Sequence, residues 1–243
     1  MIYISTYIMS DIHGDFPAFK RMLKVVDFKP LEDFLIVVGD VIDRGEHGVE
    51  LLFMLKDMVD RGFATVIKGN HELFAQRYME GSIFEKEWIL NAGGKTLADL
   101  QALDDNKKSE FYDFIKQMPL YIERDLPKFG STVITHTGLM ESFLITDAND
   151  KIDVLASVKK AVETDEDDFL ISADIHYWGR DQLRRLDKFI ICGHIPTYQL
   201  GPEYTGKILE NKAYMDIDAG SGYREQGGRL ACYCIENEKV WYV

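Results

Sequence analysis

Five short segments concentrate the residues able to do chemistry: Ser10-Asp11-Ile12-His13-Gly14, Gly39-Asp40-Val41-Ile42-Asp43-Arg44-Gly45, Lys68-Gly69-Asn70-His71-Glu72, Thr135-His136-Thr137-Gly138 and Cys192-Gly193-His194-Ile195-Pro196. Four of the six histidines fall in them. Asp11, His13, Asp40, Asn70, His136 and His194 offer carboxylate oxygens, imidazole nitrogens and one amide oxygen, with no thiolate. Such a donor set suits borderline first-row ions, manganese first with iron or zinc as alternatives, and matches calcium poorly. Six ligands exceed what one catalytic ion can use while keeping positions open for water, but they suit two divalent metal ions sharing a carboxylate. Two ions about 3.5–4 Å apart can hold a bridging hydroxide as nucleophile and clamp the oxygens of a phosphoryl group. Arg44 adds a planar, two-pronged donor matched to phosphate oxygens. His71 is placed to protonate a leaving alkoxide, and Asp43 to orient it and raise its pKa.

Any one of these segments alone would be weak, because Asn, Asp and Gly are common turn residues after strands, and Asp11 or Asp40 could simply cap helices. The elements around them supply the context. A β-rich opening from Tyr3 to Met9 precedes the first segment, the apolar run Phe34–Val38 the second, and Ala64–Ile67 the third. Between them Phe16, Phe19, Met22, Leu23 and Val26, then Val49, Leu52, Phe53, Leu55 and Met58, recur at helical spacing, with Pro17 suited to a first helical turn. This order predicts parallel strands joined by crossover helices, and in such sheets ligands bind beyond the carboxyl ends of strands. A helical stretch from Glu85 to Met118 follows, interrupted at Gly93-Gly94 and at Asp104–Lys108. Strands are expected at Leu120–Ile122, Thr132–Thr135, Phe189–Ile191, Ala213–Ile217, Leu230–Ile235 and Val240–Val243. The acidic stretch from Glu141 to Ser172 reads as a solvated insert or cap in a single α/β domain spanning 1–243. His47 and His176 fall outside the five segments and read as solvent-facing or locally bonded.

Taken together, the segments resemble the calcineurin-like metallophosphoesterases, and within them the phosphoprotein phosphatases. The family pattern of Gly-Asp-x-His-Gly, Gly-Asp-x-x-Asp-Arg-Gly, Gly-Asn-His-Glu and two isolated histidines is matched from Ser10 to Pro196, with Asp216-Ile217-Asp218-Ala219-Gly220 resembling its last strand and turn. The resemblance implies an αββα sandwich of two mixed β-sheets flanked by helices around a dinuclear metal centre. By the same resemblance Asp11 and His13 would bind the first metal, Asp40 would bridge, and Asn70, His136 and His194 would bind the second. His71 with Asp43 would be the acid pair, Arg44 would hold phosphate, and Asn70 would also contact the substrate. Trp178-Gly179-Arg180 resembles a Trp-x-Arg step of bacterial and phage members, which makes Arg180 a second phosphate clamp. Ser10 departs from the usual first glycine, and Thr137 stands where many relatives have alanine or glycine.

The 243 residues carry 28 Lys and Arg against 41 Asp and Glu, a net charge of −13, with 46% hydrophobic residues. That composition excludes a disordered chain or a disulfide scaffold, and the lack of a basic stripe argues against nucleic acid. Three cysteines, no leader-like start and no apolar run near the ~18 residues of a membrane span point to a cytoplasmic protein without membrane attachment. The acidic total does not exclude a phosphate ester, since two divalent ions with Arg44 and Arg180, against Asp11, Asp40, Asp43 and a hydroxide, leave about +2 locally. The expected activity is metal-dependent phosphomonoester hydrolysis, with phosphoserine or phosphothreonine in proteins as substrate. Hydrolysis of diadenosine tetraphosphate or another small phosphoester is the alternative. A metal-binding sensor or scaffold without catalysis is a third reading, against which no ligand, acid or clamp is missing.

Overall fold

The computed structural model describes residues 4–172 and 175–243, so Tyr3, where the first strand was expected to open, lies outside the described residues. In chain order the strands are β1 (Thr6–Met9), β2 (Phe34–Val38), β3 (Ala64–Ile67), β4 (Tyr121–Leu126), β5 (Gly130–Thr135), β6 (Phe189–Cys192), β7 (Leu209–Glu210), β8 (Tyr214–Asp216), β9 (Ala231–Cys234) and β10 (Val240–Tyr242). They form two five-stranded sheets, ordered β10-β9-β1-β2-β3 and β4-β5-β6-β8-β7. β1, β2 and β3 run parallel, as do β5, β6 and β8, while the remaining strands pair antiparallel at the margins.

Side-chain alternation along the strands creates the layers. Tyr7, Met9, Leu35, Val37, Cys232 and Cys234 face outward from the first sheet, whereas Ile8, Ile36, Val38 and Tyr233 face inward. Val133, Ile190 and Cys192 face outward from the second sheet, and Ile134, Ile191 and Met215 inward. The two inner faces meet in one apolar layer. Both faces of these strands are therefore dry, which is why they read as continuous apolar runs. The outer face of the first sheet is covered by α1 (Phe16–Val25), α2 (Gly48–Asp60), α3 (Asn70–Met79), α4 (Glu85–Leu90), α5 (Gly94–Ala102) and α6 (Asp105–Gln117), through residues such as Phe19, Leu52, Trp88, Leu97 and Phe111. On the second sheet lie α7 (Val154–Thr164) and α8 (Glu166–Ile171). The result is the expected αββα sandwich.

Local chemistry explains most boundaries. The Asp15 carboxylate accepts from the Ala18 amide and caps α1, with Pro17 in its first turn. The helical stretch is interrupted at Leu103-Asp104, where the polar run begins, and the rest of that run opens α6, with the Asp104 carboxylate accepting from the Lys107 amide. A larger difference concerns the segment from Glu141 to Ser172. Val154, Val158, Phe169 and Leu170 are buried, each worth about 1.5–3 kcal/mol of apolar burial. Its acids are engaged as well: Asp165 caps α8, Asp167 pairs with Arg77 of α3, and Glu166 lies 3.4 Å from Lys68. A run of acids reads as a solvated face only when the partner cations, here far away in sequence, are left out.

Candidate active site

The carboxyl ends of β1, β2, β3, β5 and β6 bring the five segments together. Local strain marks the convergence: Asp11, His13, Asp40, Asp43, Arg44 and His194 all adopt positive φ, between 50° and 73°. Non-glycine residues pay for this conformation unless surrounding contacts enforce it, and such residues cluster at functional sites. Glu72 does much of the enforcing. Its buried carboxylate accepts from the amides of Gly69 (2.9 Å), Asp40 (2.9 Å), Val41 (2.9 Å) and Ile42 (3.2 Å), fastening the loop after β2 to the start of α3. Gly69 must be glycine there, since a Cβ would stand 2.2 Å from Asp40 Oδ1.

Asp40 lies at the centre. It belongs to two groups of donor atoms that lie within 4.8 Å of one another, one with His13 and His71 and the other with His136 and His194. His13 Nε2 is 3.6 Å and His71 Nε2 3.8 Å from Asp40 Oδ2, and His136 Nε2 is 3.4 Å from Oδ1. Asn70 Oδ1 lies 3.0 Å from both His136 Nε2 and His194 Nδ1. Asp11 Oδ1 is 4.0 Å from His13 Nε2, while Asp11 Oδ2 accepts from the His194 amide at 3.1 Å. All six expected ligands therefore meet. Ser10, which stands in place of the usual glycine, puts its hydroxyl against the Asp11 carboxylate and 2.9 Å from the Val38 carbonyl.

The donor chemistry fits cations. Asp11 Oδ1 is fully buried without a hydrogen-bond partner. The Nδ1 atoms of His13 and His136 lie 3.1 and 2.9 Å from the carbonyls of Ile42 and Val38, which turns both Nε2 atoms inward. Burial pushes the Asp11 carboxyl up, to about 7, with His136 pulling the other way. Burial also opposes charge on Asp40, but His136 and His71 outweigh it and hold that carboxyl well below its ordinary value. His136 is raised to about 10 because Asp40 and Asp11 overcome its burial, whereas burial and the neighbouring His136 lower His194 to about 3. The ionised Asp40 at the centre therefore draws positive charge to it, which divalent ions would supply when displacing protons.

His71 points its other nitrogen at Asp43, with Nδ1 2.7 Å from Oδ2. Burial disfavours the imidazolium, yet Asp40 and Asp43 raise its pKa above the usual histidine value. The buried Trp88 indole donates to the same Asp43 oxygen at 2.9 Å. The Trp88 contact is one that pattern reading missed; 45 residues separate it from Asp43, and no spacing rule links them. Arg44 is exposed at the mouth, its Nε 3.3 Å from His13 Nε2 and its guanidinium 4.5 Å over the Tyr223 ring.

Arg180 is not brought to this cluster. It opens α9 (Arg180–Leu183) and lines a cavity with Phe129, Phe189 and Ala213, at the opposite ends of β5, β6 and β8. Without it, the local balance expected with two divalent ions would be about +1 rather than about +2. His47 is exposed beside Glu50, as expected. The His176 ring is instead fully buried, with Nε2 3.0 Å from the Asp216 carboxylate behind the His194 loop. Thr137 donates to the Phe169 carbonyl, which ties the His136 loop to α8.

A model of the calcineurin-like phosphoesterases matches residues 4–218, and the chain belongs to that family. It is 28% identical over 144 residues to a symmetrical bis(5'-nucleosyl)-tetraphosphatase from Actinobacillus pleuropneumoniae, covering 59% of this chain and 48% of that protein. Against the asymmetrical bis(5'-nucleosyl)-tetraphosphatase PrpE of Halalkalibacterium halodurans it is 29% identical over 180 residues, covering 69% and 65%. The chain spans about half the length of most of the curated relatives it matches. A protein serine/threonine phosphatase from Saccharomyces cerevisiae shares the fold at a TM-score of 0.59 and 14% identity, over 99% of this chain and 79% of that one. Among the described residues no helix is long and apolar enough to cross a membrane.

Proposed function

We propose that this protein is a metal-dependent phosphoester hydrolase acting on dinucleoside polyphosphates. The observation that carries the chemistry is Asp40, which stands between His13 at its Oδ2 and His136 at its Oδ1, with Asp11, Asn70 and His194 around them and Arg44 at the mouth. The substrate class follows the relatives. The relatives described above are named for bis(5'-nucleosyl)-tetraphosphate hydrolysis, whereas the protein phosphatases match in fold at 14–17% identity. The reading therefore moves from phosphoprotein, expected first, to the dinucleotide alternative.

Asp11, His13, Asp40, Asn70, His136 and His194 would hold two divalent ions, which when bound activate water and neutralise phosphoryl oxygens. Arg44 binds a phosphoryl oxygen through the in-plane N–H donors at the free edge of its guanidinium. As the bond from phosphorus to the leaving oxygen breaks, His71 gives that oxygen its Nε2 proton, and Asp43 holds the ring in place through Nδ1. The test is turnover of diadenosine tetraphosphate against a phosphoserine peptide, after chelation and again with Mn²⁺ restored. Metal-dependent cleavage of the dinucleotide at a much higher kcat/KM is expected; a preference for the peptide would overturn the substrate assignment, and turnover without metal the mechanism.

A further inference from the structure

Beside the cluster lies a groove of about 500 Å³ that shares two of its residues, His13 and Arg44. Because Arg44 and His13 belong to both the cluster and the groove, a phosphate held by Arg44 would have the groove beside it as a path for one of its esterified groups. The size falls within the roughly 300–1,000 Å³ of small-molecule sites. Its walls are flat. Tyr223 lies under the Arg44 guanidinium, with Tyr198 edge-on behind it at 5.6 Å, and Pro17 and His47 line the rest.

The Tyr223 wall is fixed in place. A Cβ at Gly222 would stand 2.7 Å from both Arg44 Cδ and His13 Cδ2, so only glycine lets this segment press against the two site residues. Arg224 then bolts the segment down, with Nε donating to Asp15 (2.7 Å) and Nη1 to the Val243 carbonyl (2.7 Å). Such a wall needs no reorganisation when a ligand arrives.

Charge says which ligand. Arg224 is neutralised by Asp15, while Glu46 and Glu225 leave the outer lining acidic. Among the described residues no carboxylate pairs with Arg44. The groove thus welcomes one phosphate at its inner end and repels further anions along its length. A neutral, planar group rich in hydrogen-bond donors, such as a base with its ribose, meets both conditions. We infer that the groove between Tyr223 and the Pro17–His47 edge is the nucleoside subsite, an inference that rests on the dinucleotide reading given above.

Isothermal titration calorimetry of the Mn²⁺-loaded protein can compare α,β-methylene-ADP with methylenediphosphonate, which lacks only the nucleoside. The nucleotide should bind about tenfold or more tightly, as expected for one base–aromatic contact. Gln226→Trp, at an exposed position of the outer groove, should erase the preference while leaving methylenediphosphonate unchanged. Tyr223→Leu should shrink the same ratio even if both ligands weaken. Equal affinities in the unaltered protein, or a ratio that neither substitution moves, would overturn the subsite. Tighter binding of a basic phosphopeptide, lost in Gln226→Trp, would also overturn it. If the ratio holds but diadenosine tetraphosphate is not cleaved, the activity reading fails and the subsite stands; cleavage with a ratio of one gives the reverse.

Discussion

At one end of the second sheet, beyond Thr135 and Cys192, His136 and His194 join the loops of the first sheet around Asp40. At the other end, before Gly130 and Phe189, a cavity of about 840 Å³ is lined by Lys128, Arg180, Arg184, Lys188 and Lys212. By charge alone the second region is the better phosphate site. Its cations, however, project from separate surface positions, and several already have acids: Lys128 is 2.7 Å from Glu210, Arg184 3.2 Å from Asp181 and Lys188 3.4 Å from Asp187. The first region instead buries its groups, strains their backbones and leaves Asp11 Oδ1 unpartnered. Convergent burial, not a count of like charges, is what separates a built site from a charged surface.

The sharpest way to break this contrast is at His71. His71→Asn should leave metal content unchanged and lower kcat on an alkyl phosphate by roughly 10²–10⁴-fold. The loss should be smaller on diadenosine tetraphosphate, whose leaving phosphate is a weaker base and needs less protonation. The sign of the pH dependence follows from the raised pKa. His71 stays protonated above the ordinary value of about 6.5, so kcat on the alkyl ester should fall only as pH climbs through the raised value. An alkyl ester rate unaffected by the substitution would remove His71 from the chemistry. Arg44→Ala comes next, at roughly 10–150-fold in kcat/KM, the range for a hydrogen bond to a charged group. KM should rise and kcat fall together if the contact tightens in the transition state. A change confined to thermal stability would reduce Arg44 to a surface residue.

Trp88→Phe probes support one step further back. Asp43 would lose its indole donor and grip the imidazolium more strongly, so kcat should drop a few-fold, by about the net worth of one hydrogen bond. The fall-off with pH should shift upward. A merely structural Trp88 would change the melting temperature without moving the pH profile.

How far these groups could be read from the chain differs by the kind of contact. The expected ligands and acid pair sit on turns directly after apolar strands, so strand ends place them, and the convergence of these eight residues from Asp11 to His194 was legible that way. Glu72 was visible in its segment, but its four amide contacts depend on how the β2 loop folds back. Trp88 and Tyr223 were not legible, because each reaches the site through packing of a distant segment. The acids of α8 misled for the same reason: Arg77 and Lys68, which neutralise two of them, lie 90 and 98 residues earlier.

Arg180 gives the smallest expected effect and the cleanest control. A Trp-x-Arg step is a three-residue signal, and it says nothing about which end of a strand the arginine reaches. Here α9 starts at Arg180 and leads into β6 from its amino end, so the side chain lines the far cavity while His194 leaves the same strand at its carboxyl end. β6 alone spans roughly 10 Å at the rise of a strand, well beyond hydrogen-bond reach of a phosphate at Arg44. Arg180→Ala should therefore leave kcat and KM for diadenosine tetraphosphate within about twofold, as surface substitutions away from such features do. The measurement is a side-by-side kinetic comparison with Arg44→Ala. If Arg180→Ala raised KM as strongly, the far cavity would have to be coupled to the site, and the contrast between the two ends of the sheet would fall.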